Sequence, residues 1–211
     1  MKEFLNHLSE FEIFLASKSP RRKQLLSDLG IPFRNLVLAD VDESFPDDME
    51  IDIVAEYLSV KKAEPYRESL KERQVIITAD TIVCSSNRVL GKPKNKDEAR
   101  FMLRNLSGRD HLVITGVCLT SLHSSSSFSA TTKVLFDNLS SDEIDYYIDT
   151  YKPYDKAGSY GIQEWIGLIG VESIEGSYFN VMGLPIQRLY QEIESIWINR
   201  IGKPFEYSSL W

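Results

Sequence analysis

Asp80 interrupts the apolar run Val75-Ile-Ile-Thr-Ala-Asp-Thr-Ile-Val83. A carboxylate at such a strand position is tolerated only when paired, metal-bound or protonated. It suits a general base; the plainer alternative is an acid hydrogen-bonded to a turn at a strand end. Thr81 faces the opposite side of a regular strand, or joins Asp80 if the strand ends there. Lys62 needs a partner of its own, since an ammonium facing a core is costly alone. It continues the helical stripe Ile51, Val54, Ala55 and Leu58, so its ammonium either points into a cleft or snorkels above an apolar stem. Arg21 and Arg22 follow Ser19 and Pro20 in a first helical turn. The macrodipole disfavours cations there while free N–H groups favour an anion. A bound phosphate would reconcile the two; a solvated basic turn needs no ligand.

Weaker features surround these. Asp42-Glu43 offers paired oxygen donors suited to Mg²⁺ or Mn²⁺, or plain surface charge. Gly91-Lys92-Pro93 is a turn presenting a lysine. Asp155 to Gln163 combines two glycines with Lys156 and with a Gln163 amide able to read a base edge. Glu175 to Pro185 either lines a cleft or joins a strand to a helix. His7, His111 and His123 show no metal-ligand spacing, and no G-x-S-x-G, Walker A or G-x-G-x-x-G occurs. Serine hydrolases and dinucleotide oxidoreductases lose ground accordingly.

The elements that must carry these residues are short and alternating. Strands are expected at Phe11 to Ser17, Phe33 to Ala39, Val75 to Val83 and His111 to Leu119, with a return strand over residues 131–137. Ser124 to Ser127 reads as a hairpin tip. Helices are expected at Arg21 to Leu29, Glu50 to Leu70 and Asp97 to Leu106, after a Ser140/Glu143 capping box, and from Pro185 through Ile186, Leu189, Tyr190 and Ile193. Strands alternating with helices, then a hairpin, indicate an α/β fold: a mixed sheet with flanking helices and two lobes around a cleft.

Composition narrows the partners. The chain has 211 residues, 43% hydrophobic and 26% charged, with a formal net charge of -7. That is enough for one large core, and its field repels polyanions, so no nucleic-acid polymer is expected and a small anion must be caught by local positive charge. Cys84 and Cys118 read as reduced core residues, which points to an intracellular compartment. No apolar stretch approaches the length of a membrane span and the N-terminus lacks a signal-type apolar region. A cytoplasmic protein without membrane contact is expected.

Taken in order, Leu15-Ala-Ser-Lys-Ser-Pro-Arg-Arg22, Val41-Asp-Glu43, Lys62-Ala63, Ala79-Asp-Thr81, Gly91-Lys-Pro93, Leu106-Ser-Gly108, Asp155 to Gln163 and Gly176 to Pro185 resemble the Maf family. The likeness covers roughly residues 13 to 195 and suggests a catalytic domain at 13–198, an N-terminal extension at 1–12 and a tail at 199–211. It implies a deep cleft similar to that of inosine triphosphate pyrophosphatases. It also implies hydrolysis of a nucleoside triphosphate at the α-phosphate to monophosphate and pyrophosphate, as housecleaning of the nucleotide pool, with Mg²⁺ or Mn²⁺. Asp80 matches the family's proton acceptor. Lys62 and Glu43 are expected beside it in catalysis, Glu43 and Asp80 at the metal, and Ser17, Arg21, Arg22, Thr81, Lys92 and Gln163 on the substrate. Arg21, Thr81 and Gln163 resemble the version associated with dTTP and UTP, whereas a 7-methyl-GTP version resembles Trp, Gln and Glu there. A purine or modified-nucleotide pyrophosphatase is the nearer rival, and a non-catalytic nucleotide-binding regulator tied to cell division the more distant one. A homodimer is the assembly to consider. Ser159 stands where many relatives carry Ala.

Overall fold

The computed structural model describes residues 10–37 and 41–200. The ends of the expected N-terminal extension and C-terminal tail, at 1–9 and 201–211, lie outside the described residues, as do the last residues of the expected second strand, 38 and 39. Within the described residues one mixed sheet forms the centre. Its path runs β2 (Arg34–Asn35), β1 (Glu12–Leu15), β3 (Gln74–Ser85), β5 (Asp110–Ser121), β6 (Ser125–Phe136) and β7 (Val171–Glu175), with β4 (Arg88–Leu90) paired to β3. β1 is parallel to β2 and β3; the other pairings are antiparallel. Helices α1 (Pro20–Asp28), α2 (Ile51–Ala63), α3 (Lys96–Leu106), α4 (Ser141–Tyr151), α5 (Trp165–Gly170), α6 (Tyr178–Met182) and α7 (Ile186–Arg200) flank it. The expected α/β class with a mixed sheet is what forms.

The sheet divides along its long strands. β5 pairs with β3 from Val75 to Cys84 along one edge, whereas β1 covers the other edge only at residues 74–77 and β4 only at 83–85. Between them, residues 78–82 have no strand neighbour. One apolar core, with Ile13, Leu26, Ile77, Leu189 and Ile193, lies below this gap, and a second, with Val83, Leu103, Phe136, Tyr147 and Ile166, lies above it. The two lobes part where the edge is open.

Several expectations need correction. The helix expected to Leu70 stops at Ala63 and continues as a 3₁₀ segment, Glu64–Ser69, because Pro65 can occupy the first turn of a new helix but cannot donate within an old one. Ser125, Ser126 and Ser127 belong to β6 rather than to a loop. Opposite β5 their backbone groups are paired, and Ser127 Oγ donates to Glu56 Oε1 at 2.7 Å, so short polar side chains are tolerated in the ladder. Among the described residues β4, β7, α5 and α6 had no periodic signal, being too short to show one. The Ser140/Glu143 capping box forms as expected, and Cys84 and Cys118 are free and buried.

Gly116 lets α2 reach the sheet. It stands opposite Asp80 in the β3/β5 register, and a Cβ there would lie 2.2 Å from the Ala55 carbonyl carbon and oxygen. Gly116→Ala must therefore push α2 off the sheet, which we expect to cost roughly 1–3 kcal/mol and to separate Lys62 from Asp80. A thermal midpoint equal to that of the native chain would sink this reading.

His111 supplies a pH signature. It is 2% exposed, its Nε2 is 2.8 Å from the Tyr160 hydroxyl, and burial holds its pKa down at about 4, against 6.5 for a free imidazole. The folded value lies below the unfolded one, so protons favour the unfolded chain. His111's contribution is intact above pH 6.5 and is lost as pH falls from there toward 4. Thermal melts should show this decline, and His111→Gln should flatten it; an equally steep decline in the variant would assign it to other groups.

Candidate functional site

The cleft at the open edge of β3 encloses about 460 Å³, within the usual range for small-molecule sites. Six basic residues (Lys18, Arg21, Arg22, Lys62, Lys92, Lys156) line it against three acidic ones (Glu43, Asp80, Asp155). On a chain of net charge -7 this local reversal of sign is what an anion would be drawn to.

The β1/α1 junction forms one wall. Ser17 is buried, and its Oγ accepts from Ser19 N at 3.1 Å, while Ser19 Oγ caps α1 by accepting from Arg22 N. Arg21 lines the cleft and donates through Nη1 to Asp155 Oδ2 at 3.0 Å. Arg22 is committed to the protein: Nη1 donates to Ala79 O at 2.7 Å, Nε to Gly183 O at 2.7 Å and Nη2 to Thr81 Oγ1 at 2.9 Å. It thus closes the unpaired edge of β3 and ties it to the left-handed turn at Gly183, φ 109°. Two of its five N–H bonds remain for a ligand. Burial lowers its pKa from the ordinary arginine value, partly offset by Asp80.

β3 and α2 form the floor. Lys62 Nζ donates to Glu43 Oε1 at 2.9 Å and, by a short contact, to Asp80 Oδ1. Its side chain is 18% exposed, so the ammonium turns inward onto two carboxylates rather than snorkelling. Asp80, 8% exposed, is a paired acid within a continuous strand, not one capping a strand end. Thr81 joins the cleft although the strand stays regular through Ser85, because the missing neighbour at 78–82 opens both faces. Its Oγ1 lies 3.0 Å from Thr115 Oγ1.

Glu43 bridges two cations, since Lys92 Nζ also donates to its Oε2 at 3.0 Å. Burial alone would raise its pKa, but hydrogen bonds and charge from Lys62 and Lys92 hold it at about 2. Asp42 turns away, to Ser44 and to Lys61 at 3.2 Å, so the adjacent acids do not act as a pair. Lys92 is half-exposed and Gln163 is exposed, and both line the cleft. Glu43 and Asp80, meeting on one ammonium, offer two hard oxygen donors. Among the described residues no group of three or more His, Cys, Asp or Glu could hold a metal. Such a site suits Mg²⁺, which keeps waters and takes ligands from substrate phosphates.

The structure thus brings Ser17, Arg21, Arg22, Glu43, Lys62, Asp80, Thr81, Lys92 and Gln163 into one cleft. Sequence reasoning missed Lys18 and Tyr160, and left Asp155 unassigned. Asp155 could have been suspected from its place beside Lys156, since an acid next to a lysine in a glycine-containing loop often ties the loop down.

Residues 12–196 match the family description Maf-like protein. The chain belongs to the Maf family. It is 55% identical over 192 residues to the dTTP/UTP pyrophosphatase of Phocaeicola vulgatus, covering 91% of this chain and all of that protein. It is 52% identical over the same shares to its counterpart in Bacteroides thetaiotaomicron, and 48% identical to that of Porphyromonas gingivalis, over 90% of this chain and 96% of the relative. A solved HAM1 protein from Coxiella burnetii superposes with a TM-score of 0.47 and 13% identity, over 88% of this chain and 99% of that one. At that distance the likeness bears on neither substrate nor mechanism. Among the described residues no helix is long and apolar enough to cross a membrane.

Proposed function

We propose that this Maf-family chain hydrolyses dTTP and UTP to the monophosphate and pyrophosphate, clearing the cytoplasmic nucleotide pool. The observation that carries it is the sign reversal of the cleft, with Asp80 buried among its cations. Relatives named dTTP/UTP pyrophosphatase at about half identity over nearly the whole chain support the substrate. The chemistry is a displacement at phosphorus: a water oxygen attacks the α-phosphorus, its proton passes to Asp80, and the bond to the β-phosphate oxygen breaks, releasing pyrophosphate. Such a reaction needs positioning and charge neutralisation more than covalent help. Lys62 orients Asp80 and Glu43; Arg21 and Lys92 meet phosphate oxygens, Ser17 lies at the same wall, and Arg22 contributes charge and its two spare donors. Gln163 and Thr81 face the base, and Arg21 also helps to choose it. Glu43 and Asp80 would hold Mg²⁺ or Mn²⁺, which when bound neutralises phosphate charge.

The test is to incubate the purified chain with a panel of nucleoside triphosphates and identify the products. Pyrophosphate with dTMP or UMP is expected, lost in chelator and restored by Mg²⁺ or Mn²⁺. Orthophosphate as the product would exclude α-phosphate attack, tight nucleotide binding without turnover would leave a binding protein, and full activity in chelator would remove the metal.

A further inference from the structure

A chain of polar groups runs from the buried Tyr147 to the cleft wall formed by Lys156, Asp155 and Arg21, with no bond to Asp80, Lys62 or Glu43. The Tyr147 side chain is fully buried, and its hydroxyl makes a short hydrogen bond to Glu164 Oε2 while accepting from Gly161 N at 3.0 Å. Burial, and then the Glu164 carboxylate, push its pKa well above the ordinary phenol range, so it stays a donor. Glu164 Oε1 lies 3.1 Å from Lys156 Nζ, whose side chain is 8% exposed. Lys156 Nζ donates to Asp155 Oδ1 at 2.7 Å, and Asp155 Oδ2 accepts from Arg21 at 3.0 Å.

The charges alternate from Glu164 to Arg21, so each neutralises the next. The other end reaches Gln163 through Gly161. A Cβ placed on Gly161 would be 3.0 Å from both Gln163 Nε2 and Glu164 Oε2, so the amide and the carboxylate both close on that glycine. Glu164 occupies the N-cap position of α5 without capping it, its carboxylate turning to Tyr147 and Lys156 instead.

We infer that Glu164 and Tyr147 are positioning residues that set nucleobase choice by holding Arg21 through Lys156 and Asp155, and Gln163 across Gly161. The inference rests on the proposed function only in taking Arg21 and Gln163 to face the nucleotide. Removing the Glu164 charge leaves Lys156 with Asp155 alone, and the tightened Asp155–Lys156 pair releases Arg21. The hydrolytic group is untouched, so discrimination should fall while turnover persists.

The experiment compares Glu164→Gln, Glu164→Asp and Tyr147→Phe with the native chain. It reads kcat and KM for UTP and GTP, and calorimetric binding of their non-hydrolysable α,β-methylene analogues. In Glu164→Gln the UTP preference should fall about tenfold, the size of one lost hydrogen bond to a charged group, with kcat on UTP kept within about threefold. Glu164→Asp should restore part of the preference. Tyr147→Phe should move it in the same direction, and the double variant should lose no more than the worse single one, as members of one network do. Unchanged preference in folded variants, or a fall in kcat with preference intact, overturns the inference. If Glu164→Gln does not fold, Tyr147→Phe and Glu164→Asp decide alone. A native chain that binds the analogues selectively without hydrolysing UTP refutes the proposed activity and leaves the binding data to judge the network; failure to bind either analogue overturns both.

Discussion

Asp80→Asn should lower kcat for dTTP by about 10²-fold or more, the loss typical of a removed general base. The substitution keeps shape and volume at a position 8% exposed, and the amide oxygen can still accept from Lys62, which also keeps Glu43 at 2.9 Å. What is lost is the ability to take a proton from water and the negative charge facing the ammonium. The thermal midpoint should move little, so circular dichroism and melting guard against misfolding while pyrophosphate release is followed at saturating dTTP. Near-normal turnover would remove Asp80 from the role of base and would shift attention to Glu43.

The second large effect is on stability. Arg22→Lys should destabilise the chain by roughly 2–5 kcal/mol, since three acceptors lose a donor, two of them backbone carbonyls, and one ammonium cannot span them. For a domain of this size that lowers the melting midpoint by about 5–15 °C. The neighbouring arginine is the control. Arg21 makes its ion pair with an Asp155 carboxylate that is 56% exposed, so Arg21→Lys should change stability by under about 1 kcal/mol while raising KM. Equal melting points for the two variants would show that the three hydrogen bonds of Arg22 do not hold the fold together.

That contrast marks the limit of reading adjacent residues alike. Arg21 and Arg22 follow the same proline and were given the same task, yet a helix turns successive side chains by about 100°, and only the second faces the bare edge of β3. Asp42 and Glu43 divide in the same manner, one toward Lys61 and one toward Lys62. Residue order along a chain contains no information about which of two neighbours meets a partner fifty residues away.

Other features were legible because their causes are local. The Ser19-Pro20 helix start, the Ser140/Glu143 box, the stripe from Ile51 to Lys62 and the buried run around Asp80 each follow from the periodicity or capping chemistry of a few consecutive residues. The need for a partner at Asp80 was equally legible, because burying an unpaired carboxylate costs too much wherever it occurs. The sequence by itself therefore determined that Asp80 and Lys62 must be answered by something, and that a net acidic chain would have to concentrate its cations to hold an anion. Tertiary structure alone decided that they answer one another, that a gap between β1 and β4 gives Thr81 the same cleft, and that Tyr147 and Glu164 stand behind Arg21. Those outcomes depend on strand pairing and helix approach, set by the packing of distant segments, as when a missing Cβ at Gly116 admits α2 to the sheet.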